Sequence, residues 1–182
     1  MSVSVQQILG FLRAVAPQEL ALDWDNVGLL VDAGQPVDGV LTTLDITPAV
    51  VREAVENDCQ LIVSHHPVIF HPLRTLAADD VPALLMKNGI SAICMHTNLD
   101  AAEGGVNEVL AGFFGMREME AFAEGCGRVG SIDPITVPEL AKKAQQALAS
   151  RCNQPLDGPA VQVKFADTGK TVQRLAVISG AG

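Results

Sequence analysis

Two adjacent histidines, His65 and His66, end the apolar run in "LIVSHHPVIF" (residues 61 to 70), and Pro67 follows at once. Imidazole is both a ligand for divalent cations and a proton carrier near neutral pH. Successive side chains on a strand point to opposite faces, so a doublet in mid-strand cannot readily grip one ion. At a strand end, where proline stops the ladder, the two rings can diverge around a shared centre. That arrangement suits two metal ions about 3.5 to 4 Å apart, one per imidazole, bridged by a carboxylate or a water. A second group follows in "MHTNLDAAEGG", which offers His96, Asn98, Asp100 and Glu103. His96 stands four residues before Asp100, fit for an orienting, substrate-facing or catalytic role. Asp45, in "TTLDIT", can be a ligand, the orienting partner of a histidine, or the cap of the next helix. His71 reads as a loop histidine.

These side chains need elements that bring them together. "GVLTTLDI" (39 to 46), "CQLIVS" (59 to 64) and "ISAICMHT" (90 to 97) read as strands, the last two without polar alternation and therefore covered on both faces. Between them, "TPAVVREAVEND" carries helix-start signals in Thr47 and Pro48, and "DDVPALLMKNG" reads as a helix ended by Gly89. The β-α-β-α-β order predicts a mostly parallel or mixed sheet flanked by helices, of the α/β class. Parallel strands present their C-terminal ends at one edge, where such sheets place ligand crevices, so His65, His66 and Asp100 can converge there. Asp45 ends the first of these strands at the same edge.

Elsewhere, "SVQQILGFLRAV" sets Val5, Ile8, Leu9 and Leu12 on one helical face behind Ser4 as N-cap. In "DWDNVGLLV" the plainer reading packs Trp24 against the sheet and turns the chain at Asn26, Val27 and Gly28; the alternative has the segment lining the crevice. "EGGVNEVLAGFFG" reads as a helix closing on Gly115, its glycines forming either a plain turn or an anion-binding helix start. The texture changes near residue 124, which predicts lobes at 1–124 and 125–182. The second holds a helix in "VPELAKKAQQALAS", a loop near Pro155, and strands around "AVQVKF" and "VQRLAVIS". "LAVISGAG" runs a strand into a glycine turn of the kind that normally feeds a helix, so a further C-terminal portion is expected beyond Gly182.

Composition limits the function classes. An apolar fraction of 48% over 182 residues supports a real core, and no apolar run is long enough to span a bilayer. A net charge of -9 with only 12 Lys and Arg, and aromatics at 4%, disfavours nucleic acid as a partner. Cys59, Cys94, Cys126 and Cys152 form no C-x-x-C pair and read as reduced thiols, mostly in the core, of a cytoplasmic protein.

Taken in order, "DWDNVGLLV", "LTTLDIT", "LIVSHHPVIF", "HTNLDAAEGGVN", "GCGRVGSI" and "LAVISGAG" closely resemble the Nif-three-like dinuclear-metal family, the GTP cyclohydrolase 1 type 2 homologues. The resemblance extends over essentially the whole chain. It implies a two-lobed α/β fold, a homohexameric ring (a toroid) with sites facing an internal cavity, and two divalent ions per subunit. His65, His66 and Asp100 are its implied ligands, Asp100 and one histidine on one ion and the other histidine on its neighbour. A later histidine and glutamate, four residues apart on one helix face, are also implied, the glutamate bridging both ions; this sequence stops before that helix.

Three functions follow as expectations. In the first, two ions of Zn, Fe, Mn, Co or Ni activate a water in a hydrolase acting on a nucleotide or related small molecule, with His96 and Glu103 handling protons. The second is a non-catalytic metal-binding or regulatory assembly protein. The third, a nucleic-acid module threaded by a ring, has charge against it.

Overall fold

A computed structural model describes residues 2–149 and 161–180. Cys152, the loop near Pro155 and the last two residues of the terminal "GAG" lie outside them. The chain divides into two compact units, Met1–Gly105 and Val106–Gly182, so the change of texture near 124 falls inside the second.

The first unit opens with α1 (Val5–Val15), started by a reciprocal capping box between Ser4 and Gln7. Then come β1 (Gly28–Val31), β2 (Val40–Thr43), α2 (Pro48–Glu56), β3 (Leu61–Ser64), α3 (Val81–Lys87), β4 (Ser91–Cys94) and α4 (Thr97–Ala101). The sheet order is β1-β4-β3-β2. The pairs β2·β3 and β3·β4 are parallel, and β1 runs antiparallel to β4 at the edge. This is the expected α/β sheet in its mixed form.

Alternation along β3 and β4 sends side chains to two cores. Leu61 and Ile93 pack with Val5 and Leu9 of α1, with Ile8 and Leu12 alongside. Ile62 and Ala92 pack on the other face with Val51 and Ala54 of α2 and Leu85 of α3. Leu61, Ile62 and Ile93 are fully buried, each contributing about 1.5–3 kcal/mol by removal from water. Covered on both sides, β3 and β4 have little freedom to slip. Thr43, Ser64 and Cys94 therefore stand in line across the sheet, each the last residue of its strand.

The second unit comprises α5 (Val106–Gly112), β5 (Arg117–Phe122), β6 (Gly127–Thr136), α6 (Val137–Ala149) and β7 (Thr171–Ile178), the strands forming an antiparallel sheet in the order β5-β6-β7. The expected strand in "AVQVKF" is not formed at residues 161–165, whereas "VQRLAVIS" supplies β7. Two strands were hidden from the sequence. β5 is exposed along its whole length and shows no apolar alternation, and β6 was masked by its glycines. A Cβ at Gly130 would come within 2.6 Å of the Arg117 carbonyl oxygen, and one at Gly127 would overlap the Phe122 ring. In β6, glycine marks close approach of β5 rather than a loop. Among the described residues no helix is long and apolar enough to cross a membrane.

Candidate metal centre

The aligned strand ends decide what meets what. Two residues past Thr43 comes Asp45; one and two past Ser64 come His65 and His66; two past Cys94 comes His96. Backbone bonds carry the register beyond the strands, His65 N–H donating to Thr43, His66 N–H to Leu44 and Met95 N–H to Ser64. The rings of His65, His66 and His96 lie 5.1 to 5.6 Å apart by centroid. One nitrogen from each falls within 4.8 Å of the others, close enough to hold a metal ion.

Each ring is held through Nδ1. That of His65 lies 3.0 Å from the Met95 carbonyl oxygen, that of His66 2.7 Å from Asp45 Oδ1, and that of His96 2.9 Å from Asp25 Oδ1. Carbonyl and carboxylate oxygens only accept, so Nδ1 carries the proton and donates in all three rings. In the neutral imidazole this leaves the Nε2 lone pair of each free for a cation. Three oriented tautomers with free Nε2 atoms fit a divalent metal, whose histidine ligands ordinarily show this outer support.

Asp25 is the most constrained of these partners, with a fully buried side chain. Burial pushes its carboxyl up, but bonds from the Thr97 hydroxyl, His96, the Thr97 amide and the Asn26 amide outweigh it and hold the group below the usual range. It is thus an ionised anchor for His96. Burial, aided by the Asp25 charge, pushes the Cys94 thiol up to about 12. Cys94 therefore stays protonated and donates to the His65 carbonyl oxygen, a core thiol as expected.

Asp100, on α4, is buried and places Oδ1 3.8 Å from His65 Nε2. It adjoins the cluster, which His96 completes. Asp45 takes the orienting role among its three alternatives, while Thr47 caps α2. Glu103 is exposed in the turn after α4, outside the cluster. His71 is exposed too, its ring edge against Phe70.

The expected packing of Trp24 against the sheet is not observed. The residue is 59% exposed, and the turn falls at Asp23–Trp24, with Gly28 already in β1. Asp25 bonds His96 and Asn26 bonds Ile69, so the two residues that follow Trp24 are fixed while its own ring stays outward. The segment lines the site. Asp25 was the residue missed by sequence reasoning; its signal was a carboxylate a few residues before a strand that joins the sheet at the histidine-bearing edge.

Asn98 is buried, donating Nδ2–H to the Ala16 carbonyl and accepting from the His96 amide. Asn98→Ala should lower stability by about 2 kcal/mol or more, since both partners lose their bonds inside the protein. A lower urea midpoint at unchanged slope is the expected result, and an unchanged midpoint would contradict it.

A family model, Duf34/NIF3 (NGG1p interacting factor 3), matches residues 3–182. The chain belongs to this family. Its relatives include a Clostridium acetobutylicum protein named GTP cyclohydrolase 1 type 2 homolog, 28% identical over all of this chain and 70% of that protein. A Bacillus subtilis protein of the same name is 36% identical over 67% of this chain, a match spanning only 34% of that protein. A crystal structure of a Staphylococcus aureus hypothetical protein superposes with a TM-score of 0.79 at 27% identity, covering the whole chain and 73% of that one. The NIF3 fold and a histidine cluster able to hold metal are thus properties of this chain.

Proposed function

We propose that this NIF3 chain holds two divalent ions and serves a metal-dependent hydrolase acting on a nucleotide or related small molecule. The observation that carries the reading is the convergence of three imidazoles, one nitrogen of each within 4.8 Å of the others, whose Nδ1 partners are already in place. His65 and His66 would hold the ions, with Asp100 as the carboxylate ligand; the identity of the metal, among Zn, Fe, Mn, Co and Ni, follows from availability as much as from this donor set. Bound divalent cations supply Lewis acidity, polarising a carbonyl or phosphoryl oxygen and making water more acidic. Asp25, Asp45 and the Met95 carbonyl fix the imidazoles before any ligand arrives, so little reorganisation is needed on binding.

His96 is the proposed proton handler. Its Nδ1–H is committed to an ionised carboxylate and its Nε2 is free, the arrangement that makes an imidazole an oriented general base. Glu103, exposed in the turn after α4, is the proposed relay to solvent. The names of the relatives favour a purine nucleotide as substrate, and a homohexameric ring in the cytoplasm is the proposed assembly.

The test is a metal-replete preparation assayed for phosphate release and for opening of the purine ring of GTP, with His96→Ala in parallel. Turnover that falls about 100-fold or more in His96→Ala while metal content is kept supports the reading. Metal lost together with activity would make His96 a third ligand. Full metal with no turnover of nucleotides or phosphoesters would leave the non-catalytic metal-binding reading in its place.

A further inference from the structure

Trp24 is the only tryptophan of a chain without tyrosine, and it stands largely exposed beside the histidine cluster. Its ring centroid lies 6.4 Å from that of His96, nearly perpendicular to it, and 5.9 Å from that of Phe70. Phe70 is itself 40% exposed. This exposure does not come from a loose loop. Asp25 is anchored on His96 and Thr97, and Asn26 Nδ2–H donates to the Ile69 carbonyl at 2.6 Å, tying the Trp24 turn to the segment that bears Phe70. Two independent stretches of chain are thus fastened together so as to leave aromatic faces open at the edge of a polar centre.

We infer that Trp24, backed by Phe70, is a stacking platform for a flat heteroaromatic ring of a small ligand whose polar end reaches His65, His66 and His96. The inference rests on the proposed small-molecule role of the cluster and goes beyond it by naming the part of the ligand that the protein recognises. The two rings are in mutual contact at a 58° tilt, so the ligand lies on an outer face and not between them. A flat ring suits that face because stacking needs area and not hydrogen-bond complementarity. A second copy of the chain is a poorer occupant: Asp23 and Asn26 near it in the chain and His96 beside the indole make the patch more polar than the centre of a protein interface.

The sole tryptophan gives the experiment its reporter. Emission excited at the red edge comes from Trp24 alone and is titrated with guanosine, GTP and inorganic tripolyphosphate, on both metal-free and Zn-loaded protein. Quenching by guanosine and GTP, absent with tripolyphosphate, is expected. Calorimetry on Trp24→Ala should show guanosine binding weakened by about tenfold, largely restored in Trp24→Phe, and Phe70→Ala should weaken the quenching. No response to either ring-bearing probe, or an equal response to tripolyphosphate, overturns the proposal. So does emission that shifts with protein concentration alone, in step with an oligomer that Trp24→Ala dissolves, because the face is then an interface between copies. Guanosine binding without turnover would leave this inference standing while removing hydrolysis; turnover of a ring-free phosphoester with unchanged Trp24 emission would do the reverse.

Discussion

His65→Ala is expected to strip the chain of tightly held divalent metal, measured as metal per chain after gel filtration and as affinity by calorimetry with Zn²⁺. His65 is the deeper of the doublet, its side chain 21% exposed against 46% for His66, and its Nε2 lies 3.8 Å from Asp100 Oδ1. Removing it takes a nitrogen from the cluster and leaves the buried Asp100 carboxylate without its nearest imidazole. Loss of an outer partner of a metal ligand ordinarily costs 10- to 100-fold in affinity, so loss of a ligand should exceed about 100-fold. Asp45→Asn supplies the graded comparison. It spoils only the Nδ1 support of His66, in an exposed pair, and should fall near the tenfold end of that range. Equal metal content in His65→Ala and the parent chain, with unchanged circular dichroism, would mean that the doublet is structural.

Gly105→Ala is expected to destabilise the first unit by about 3 kcal/mol, the upper end of the usual cost of overpacking. A Cβ there would overlap the Leu99 carbonyl oxygen and stand 2.8 Å from that of Ala102. Both contacts are backbone, so no side chain can swing aside to relieve them. Leu99 immediately precedes Asp100, and α4 must therefore shift as a whole, taking Asp100 from its place beside His65. Urea unfolding should show the loss of stability, and Zn²⁺ affinity should fall with it. Gly104→Ala is the internal control: open space surrounds its Cβ position, and its φ of +68° limits the cost to about 1–2 kcal/mol of backbone strain. A Gly105→Ala chain as stable as the parent would show that the turn yields easily.

The first unit was legible in its residues because its signals are redundant. The buried runs at 61–64 and 91–94, Thr47 and Pro48 at a helix start, and Ser4 before an amphipathic helix each point to the same α/β order, and parallel pairing then puts His65, His66 and Asp100 at one edge. The proximity of His96 to the doublet was less visible. The backbone at His96 (φ -110°, ψ -109°) leaves the strand before α4 begins, and strand alternation cannot forecast where such a residue aims its ring. Asp25 was harder still, for its role depends on β1 joining the sheet antiparallel at Cys94, a pairing that no local pattern announces. In the second unit an exposed strand and a glycine-bearing one defeated periodicity, since neither displays the apolar alternation on which that reading relies.

The in-line strand ends have a consequence in time. Imidazoles and their anchors come from residues 25, 45, 65, 66, 95 and 96, positions that meet only after β1, β2, β3 and β4 are all paired. An emerging or half-folded chain presents the neighbouring histidines of the doublet without the third ring and without the contacts that orient them. Such long-range closure is late and cooperative, so an ion bound at this cluster would find its full set of oriented imidazoles only on a chain whose sheet has locked.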